Sequence, residues 1–273
     1  RGKIVKQISN DYTVKVDGKL YICKARGKFR NQGITPLVGD EVIIQDNYIL
    51  EVLPRKNELN RPSICNIDEA IIITSLKNPD FSTNLLDKLI VVTEFNGIKP
   101  IIIFTKADLL TKEEFKNLYK YINYYKSIGY DIYFNDEIEK IKKIFKDKVC
   151  VFTGQTGAGK STLLNKLDSS LNLKTDEISM ALGRGKHTTR HTELLEICGG
   201  MVADTPGFSA LDFTDMSPSD IRDNFIEFNL YRDKCKFRNC MHSSEIDCEI
   251  IKKVEDGTII KSRYENYLKF IGR

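Results

Sequence analysis

Short apolar or alternating segments, separated by polar turns, fill the first 62 residues of the chain. The segments that this pattern predicts as strands are residues 2–8, 12–16, 20–24, 41–45 and 48–53. Turn pairs such as Asp17-Gly18 and Gly39-Asp40 stand between them. Five strands in about 60 residues are typical of a small barrel, and we expect an OB fold. Residues 54–62, with a proline at either end, are predicted to be a linker.

The pattern changes to alternating strands and helices after this linker. Continuous apolar runs are typical of strands buried in a parallel sheet, whereas the helical segments repeat apolar positions with a period near 3.6. The predicted strands are residues 69–75, 100–104, 148–153 and 201–203, and the predicted helices are residues 82–95 and 112–127. Alternation of this kind indicates a doubly wound α/β domain.

A helical pattern closes the chain. Ser217 and Pro218 are typical of a helix N-cap and of the first helical position, and Asp220 adds an acidic residue to the first turn. Further helices are predicted at residues 249–255 and 262–271. We therefore expect three domains, which are an OB barrel at residues 1–62, an α/β domain at residues 63–214 and a helical domain at residues 215–273.

The composition is that of an ordinary globular protein. Of the 273 residues, 41% are apolar and 29% are charged, and no apolar run reaches the length of about 18 residues that a membrane helix needs. Four of the seven cysteines stand among apolar neighbours, as buried reduced thiols do: Cys23, Cys65, Cys150 and Cys198. We expect a cytoplasmic monomer without a membrane partner.

The charge is uneven along the chain. Residues 1–62 carry 12 Lys and Arg against 7 Asp and Glu, while the net charge of the whole chain is only +4. Residues 24–30 place a cation at every second position, so an extended backbone would align these charges on one face beside Phe29. Such a stripe fits a nucleic-acid backbone, and it is equally compatible with a solvated loop.

A complete phosphate-binding sequence, GQTGAGKS, begins at Gly154 and fits the pattern GxxxxGK[ST]. A strand is predicted before it and a helix after it, which is the context that the pattern requires. Lys160 can reach the β- and γ-phosphates of a nucleotide, and the Ser161 hydroxyl can bind Mg²⁺. The residues predicted to bind the nucleotide here are Gly154, Gln155, Thr156, Gly157, Ala158, Gly159, Lys160, Ser161 and Thr162.

A second phosphate-side sequence, Asp-Thr-Pro-Gly, begins at Asp204. In P-loop proteins an aspartate at this point holds Mg²⁺, commonly through water, and the glycine N–H contacts the γ-phosphate. The alternative is a generic turn. The phosphate-binding sequence upstream favours the nucleotide contact over this alternative. Asp204 and Gly207 are therefore predicted to contact the nucleotide and its metal.

The sequence Thr105-Lys106-Ala107-Asp108 directly follows the strand predicted at residues 100–104. A carboxylate only accepts hydrogen bonds, and guanine offers it the N1–H and 2-amino donors together, which adenine does not. Asp108 thus favours GTP over ATP, and the stem of Lys106 can lie along the base. We predict GTP contacts for Thr105, Lys106, Ala107 and Asp108; Thr105 occupies the place of the usual asparagine.

This guanine-binding sequence precedes the phosphate-binding sequence, whereas in most GTPases it follows it. A sheet tolerates such a circular permutation because the site lies at the carboxyl ends of several strands. A further base contact is expected between the two sequences. Asn135, which follows an apolar segment at residues 130–133, is the candidate.

A cysteine–histidine cluster lies near the C-terminus, with the spacing C-x₄-C-x-H-x₅-C: Cys235, Cys240, His242 and Cys248. Three thiolates and one imidazole complete a closed tetrahedral Zn²⁺ site, which has a structural role. Packed thiols or a disulfide are the alternatives.

In this combination of motifs the chain resembles the ribosome small-subunit-dependent GTPases of the RsgA type. The resemblance rests on the order TKAD, GQTGAGKS, GRGKHTTR, DTPGFS and on the cysteine cluster, and it covers essentially the whole chain. It implies an OB domain, a circularly permuted GTPase domain and a zinc domain. It also implies GTP hydrolysis stimulated by the small (30S) ribosomal subunit, late maturation of that subunit and binding to its rRNA. Thr105 and the Tyr133-Phe134-Asn135 sequence depart from the usual pattern.

The residue that positions water needs a separate hypothesis. Gly207 is followed by Phe208, which cannot orient water as the glutamine of Ras-like enzymes does. His187 is the candidate, and Thr189 or its neighbour Thr188 is expected to bind Mg²⁺. The resemblance implies that His187 moves into place when the ribosome orders its segment; an RNA-contacting or solvated histidine is the alternative.

Two other functions compete with this interpretation. The first is a P-loop ATPase or kinase, against which Asp108 argues. The second is an RNA-binding module that holds a nucleotide only as a structural ligand.

Overall fold

The computed structural model describes residues 1–27, 29, 33–60, 63–169, 193–204 and 212–272. Most of the described strands belong to one 11-stranded sheet. Its first strands curl into a barrel, and the others form the open sheet of an α/β domain. Among the described helices, none is both long and apolar enough to cross a membrane.

The N-terminal barrel consists of strands β1 to β5, which are Gly2–Ile8, Asp11–Val16, Lys19–Ala25, Glu41–Gln45 and Tyr48–Val52. The order β1-β2-β3-β5-β4 closes because β1 also pairs with β4. Alternate residues point inward and fill the interior; Ile4, Val14, Cys23, Val42 and Ile49 are fully buried there. The predicted OB-like barrel is thereby confirmed.

The basic stripe at residues 24–30 would need an extended backbone, and among the described residues the strand ends at Ala25. Strand β3 ends at Ala25, and Phe29 is only 3% exposed because it packs into the barrel core. The cations Lys28 and Arg30 lie outside the described residues. Alternating charge in the sequence therefore did not identify an extended strand, because Phe29 gains more from burial than from exposure.

The described part of the segment predicted as a linker, residues 54–60, is structured and held against the barrel. Strand β6 (Glu58–Asn60) pairs with β7 (Ser63–Cys65) in a hairpin. Arg55 donates hydrogen bonds of 2.7 Å to both carboxylate oxygens of Asp40, which is fully buried. Strands of three residues carry too few positions for a period-2 pattern, which is why the sequence did not indicate this hairpin.

The α/β part contains six strands and four helices among the described residues. The strands β8 to β13 are Glu69–Ser75, Lys99–Thr105, Asp131–Phe134, Val149–Gly154, Glu193–Ile197 and Gly200–Asp204. The helices α1 to α4 are Thr83–Phe95, Lys112–Ser127, Ile138–Phe145 and Lys160–Leu167. The sequence pattern missed α3 and β12, because elements of eight and five residues carry few repeats of an apolar period.

Five parallel strands form the order β10-β9-β8-β11-β13, and β12 is antiparallel to β13. Every residue of the central strand β8 is buried, as its continuous apolar run predicts. Ser82 accepts a hydrogen bond from the Leu85 N–H and so begins α1. The pairing of Lys6 with Glu193 joins β1 to β12, and thus the barrel to the open sheet.

The C-terminal module, residues 212–272, contains helices α5 (Pro218–Asp223), α6 (Glu249–Glu255) and α7 (Lys261–Phe270). Ser217 and Asp220 form a capping box at the start of α5, with Pro218 at the first helical position. Phe225, Phe228 and Tyr267 build its core, and Val91 of α1 packs into the same cluster. The module therefore shares its core with the α/β part.

A buried polar network joins this module to α1. The guanidinium of Arg263 donates two hydrogen bonds of 2.8 Å to Glu227 and one of 2.9 Å to Asp87. Asp87 also accepts hydrogen bonds of 2.6 Å from Tyr125 and from Asn266. Burial by itself lowers the pKa of Arg263, but the two carboxylates raise it well above its ordinary value. Every member of the network therefore has a hydrogen-bond partner, as buried polar and charged groups need.

We expect Arg263→Met to lower the free energy of unfolding by about 3–5 kcal/mol, because the carboxylates of Asp87 and Glu227 would stay buried without their counter-charge. Urea denaturation followed by circular dichroism measures this change. Lys261→Met on the same helix is the control, since it removes only an exposed ion pair with Glu265. Equal effects of the two substitutions would contradict the assigned role of the network.

Candidate functional site

The predicted nucleotide-binding sequences meet at one edge of the parallel sheet. Strand β9 ends at Thr105, β10 at Phe134, β11 at Gly154 and β13 at Asp204. Parallel strands place their carboxyl ends on the same side, so Thr105, Phe134, Gly154 and Asp204 lie along one edge of the sheet. Segments that are distant along the chain thus come together as the permuted order requires.

The loop after β11 has the backbone shape that a phosphate-binding loop needs. Gly154, Gly157 and Gly159 all have positive φ, with 134° at Gly154. A Cβ added at Gly154 would lie 2.0 Å from the carbonyl oxygen of Ile73, so no other residue fits there. Gly159 directly precedes α4, whose N-terminal N–H groups and dipole favour an anion at this point.

Lys160 and Ser161 occupy the first turn of α4. The ammonium group of Lys160 donates hydrogen bonds of 2.9 Å and 3.0 Å to the carbonyls of Gly154 and Gln155. Burial lowers the pKa of Lys160 below its ordinary value. Ser161 is 6% exposed, while Thr162 beside it is exposed. The lysine therefore folds over the loop at the position where phosphate oxygens would be received.

Two side chains of the guanine-binding sequence connect it to the phosphate loop. Thr105 is 1% exposed, and its hydroxyl donates a hydrogen bond of 2.6 Å to the carbonyl of Ala158. Lys106, in the left-handed conformation with φ of 59°, donates a hydrogen bond of 2.8 Å to the carbonyl of Gly157. Asp108 follows in an exposed 3₁₀ turn. The threonine that replaces the usual asparagine thus supplies a contact between the two loops.

A third loop, residues 76–82, belongs to the same site, although no sequence pattern indicated it. It follows β8, which lies between β9 and β11 in the sheet. Lys106 also donates a hydrogen bond to the carbonyl of Asn78, and a Cβ added at Gly157 would lie 3.7 Å from Pro79. The signal was absent because Asn78 contributes its main-chain carbonyl, which any residue carries.

Only some of the other residues predicted to contact the nucleotide lie among the described residues. Asn135 is half-buried directly after β10, and its backbone N–H donates a hydrogen bond of 3.0 Å to the carbonyl of Phe104. Asp204 is the last residue of β13. The predictions that lie outside the described residues are His187, Thr188, Thr189 and Gly207.

The cysteine–histidine cluster comes together as the spacing predicts. The ligand atoms of Cys235, Cys240, His242 and Cys248 all lie within 4.8 Å of one another. All cysteines of the chain are free thiols, so the disulfide alternative is not realised. Burial lowers the pKa of His242 to about 4, which keeps the imidazole neutral, as a metal ligand must be. Four soft or borderline donors in a closed arrangement fit Zn²⁺.

The geometry defines a class of protein, a P-loop GTPase with circularly permuted motifs. Residues 52–214 match the family model of the RsgA GTPase, and residues 1–48 match that of the RsgA N-terminal domain. The chain therefore belongs to the RsgA GTPase family, which confirms the resemblance and the expected enzyme class.

Relatives with known names match almost the whole chain. The small ribosomal subunit biogenesis GTPase RsgA of Enterococcus faecalis is 47% identical over 99% of this chain and 94% of its own length. The protein of the same name from Geobacillus kaustophilus is 45% identical over 99% of this chain and 96% of its own.

Two solved structures have the same fold. YloQ, described as a circularly permuted GTPase, is 39% identical with a TM-score of 0.85, over 99% of this chain and 93% of that chain. YjeQ from Thermotoga maritima is 34% identical with a TM-score of 0.87, over 100% of this chain and 98% of that chain.

We expect Thr105→Val to weaken GTP binding by about threefold to tenfold, because it keeps the side-chain shape but loses one hydrogen bond to the phosphate loop. Displacement of a fluorescent GDP analogue measures the affinity. Thr105→Ser retains the hydroxyl and is the matched control, for which we expect an affinity near that of the unsubstituted protein. Equal weakening by both substitutions would contradict a role for the hydroxyl.

Proposed function

We propose that this chain hydrolyses GTP to GDP and phosphate when it is bound to the small (30S) ribosomal subunit, and that it acts in the late maturation of this subunit. One observation supports GTP as the substrate: Thr105 and Lys106 of the guanine-binding sequence donate hydrogen bonds to the phosphate loop. The names of the relatives, small ribosomal subunit biogenesis GTPases, support the ribosomal role.

In the proposed complex, the loop that begins at Gly154 surrounds the phosphates with backbone N–H groups, and Lys160 turns from the loop carbonyls to the β- and γ-phosphates. Asp108 accepts hydrogen bonds from guanine, while Lys106 lies along the base. The proposed guanine contacts also include Thr105, Ala107 and Asn135. Each of these residues belongs to a segment that follows a parallel strand or begins a helix.

Mg²⁺ would be held by Ser161, by Asp204 through water, and by Thr189 or Thr188. When bound, it neutralises the charge that develops between the β- and γ-phosphates. Gly207 would donate its N–H to the γ-phosphate. His187 would orient the attacking water in line with the γ-phosphate, since Phe208 has no group that can do so.

The barrel and the C-terminal module are proposed to contact rRNA. The net positive charge of residues 1–62 supports this for the barrel, because cations that neutralise phosphates carry most of such binding. Since one chain holds every residue of the proposed site, we propose that it works as a monomer, in the cytoplasm where ribosomal subunits mature. The three proposed domains keep the boundaries predicted above.

We further propose that the cysteine–histidine cluster holds one structural Zn²⁺. Its closed donor set leaves no position for a substrate. The main-chain carbonyl of His242 accepts a hydrogen bond of 2.8 Å from Tyr264 on α7, which ties the cluster to the module's last helix.

Turnover of GTP with and without purified small subunits tests the proposed function. We expect the subunits to stimulate the unsubstituted protein, and His187→Ala to lower the stimulated rate by about 100-fold or more while GTP binds with unchanged affinity. His191→Ala, in the same segment, is the matched control and should keep the stimulated rate. A flat rate on adding subunits would overturn the ribosomal role, and equal affinity for ATP would favour an ATPase.

Zinc content tests the metal proposal. We expect about one Zn²⁺ per chain by elemental analysis, and Cys248→Ser should lose it and lower the melting temperature, because the metal contributes folding free energy. Cys198→Ser removes a thiol outside the cluster and should keep the metal. Full zinc content in Cys248→Ser would contradict the assigned ligand set.

A further inference from the structure

Asn266 on α7 is the point where the C-terminal module contacts the first turns of α1. It is 3% exposed, and its amide nitrogen donates hydrogen bonds of 3.2 Å to the Thr83 hydroxyl and 2.6 Å to Asp87. Its amide oxygen accepts a hydrogen bond of 3.1 Å from Asn84. One neutral side chain thereby fixes three positions of α1, in addition to the ion pair between Arg263 and Asp87.

The first turn of α1 is also the end of the loop at residues 76–82. Ser82 is the N-cap of α1, so the loop enters the helix with a fixed backbone direction. Four residues earlier, the carbonyl of Asn78 accepts a hydrogen bond from Lys106, which also contacts the carbonyl of Gly157. A continuous set of hydrogen bonds and one short loop therefore connects Asn266 to the guanine-binding sequence.

We propose that Asn266 is a positioning residue for the guanine-binding sequence, and that it acts through α1 and the loop at residues 76–82. This inference rests on the proposed function, since it concerns the selection of GTP. Lys106 directly precedes the 3₁₀ turn that carries Asp108, so its hydrogen bond to the Asn78 carbonyl links the loop at residues 76–82 to the turn that would place the carboxylate against the base. The C-terminal module is thus a structural part of the guanine site.

The contact between Asn266 and α1 is buried, which makes it suitable for positioning the guanine-binding sequence. The neighbouring network of Asp87, Arg263 and Glu227 is fully or almost fully buried, so α7 has no freedom to slide along α1 without separating charges in a dry interior. Linkage requires reciprocity: if docking of the module improves GTP binding, GTP stabilises docking by the same factor. A partner that displaces α7 from α1 would therefore lower the affinity for GTP.

Competition binding with GTP and inosine triphosphate tests the proposal, because the inosine nucleotide lacks only the 2-amino group that Asp108 reads. We expect Asn266→Ala to weaken GTP binding by about threefold to tenfold and inosine triphosphate binding by less, so that the preference for GTP falls. Tyr264→Phe is the matched control: it removes one hydrogen bond from α7 that points into the module, to His242, and should keep the preference.

Asn84→Ala removes the hydrogen bond to Asn266 from the α1 side, where the side chain is exposed. It is the second variant to measure if Asn266→Ala does not fold. It should lower the preference in the same direction, and its effect should not add fully to that of Asn266→Ala. The proposal is overturned if the substitutions at Asn84 and Asn266 leave the preference unchanged, or if Tyr264→Phe lowers it equally. An unsubstituted protein without preference for GTP over ATP would instead overturn the proposed function.

Discussion

Three loops at the carboxyl edge of the parallel sheet meet at the ammonium group of Lys106. It donates hydrogen bonds to the carbonyls of Asn78 and Gly157, and so joins the loops after β8 and β11 to its own, which follows β9. Strand β8 lies between the other two, and the spacing of parallel strands brings the loops within reach of a single side chain. These two hydrogen bonds join the guanine-binding sequence to the phosphate loop and to the loop that leads into α1.

Circular permutation leaves this constraint intact. What fixes the site is the spatial order of the strands, in which β9 and β11 flank β8, and a change in the order along the chain does not alter it. The site also does not depend on the usual asparagine. The Thr105 hydroxyl donates a hydrogen bond to the Ala158 carbonyl and so connects the two loops.

The C-terminal module is attached by buried contacts rather than by chain continuity alone. The permuted order places the segment after Asp204 directly before this module, which is a connection along the chain. The described residues show another connection, through Asp87, Arg263 and Asn266 between α1 and α7. Removing the module would leave Asp87 without two of its partners, so the module and the α/β part fold as interdependent units.

Local patterns in the sequence determined the elements with strong periodicity and the residues with distinctive chemistry. The barrel strands, the buried strand β8, the helix Lys112–Ser127, the glycine-rich loop and the cysteine–histidine cluster all followed from residue type and spacing. Only the tertiary structure decided the burial of Phe29, the hairpin in the supposed linker, the role of the Asn78 carbonyl and the network around Arg263. These depend on main-chain atoms, which carry no residue signature, or on partners far apart along the chain, such as Asp87 and Arg263, which are 176 positions apart. A sequence pattern reports what one segment prefers, whereas such contacts exist only once two segments have been brought together.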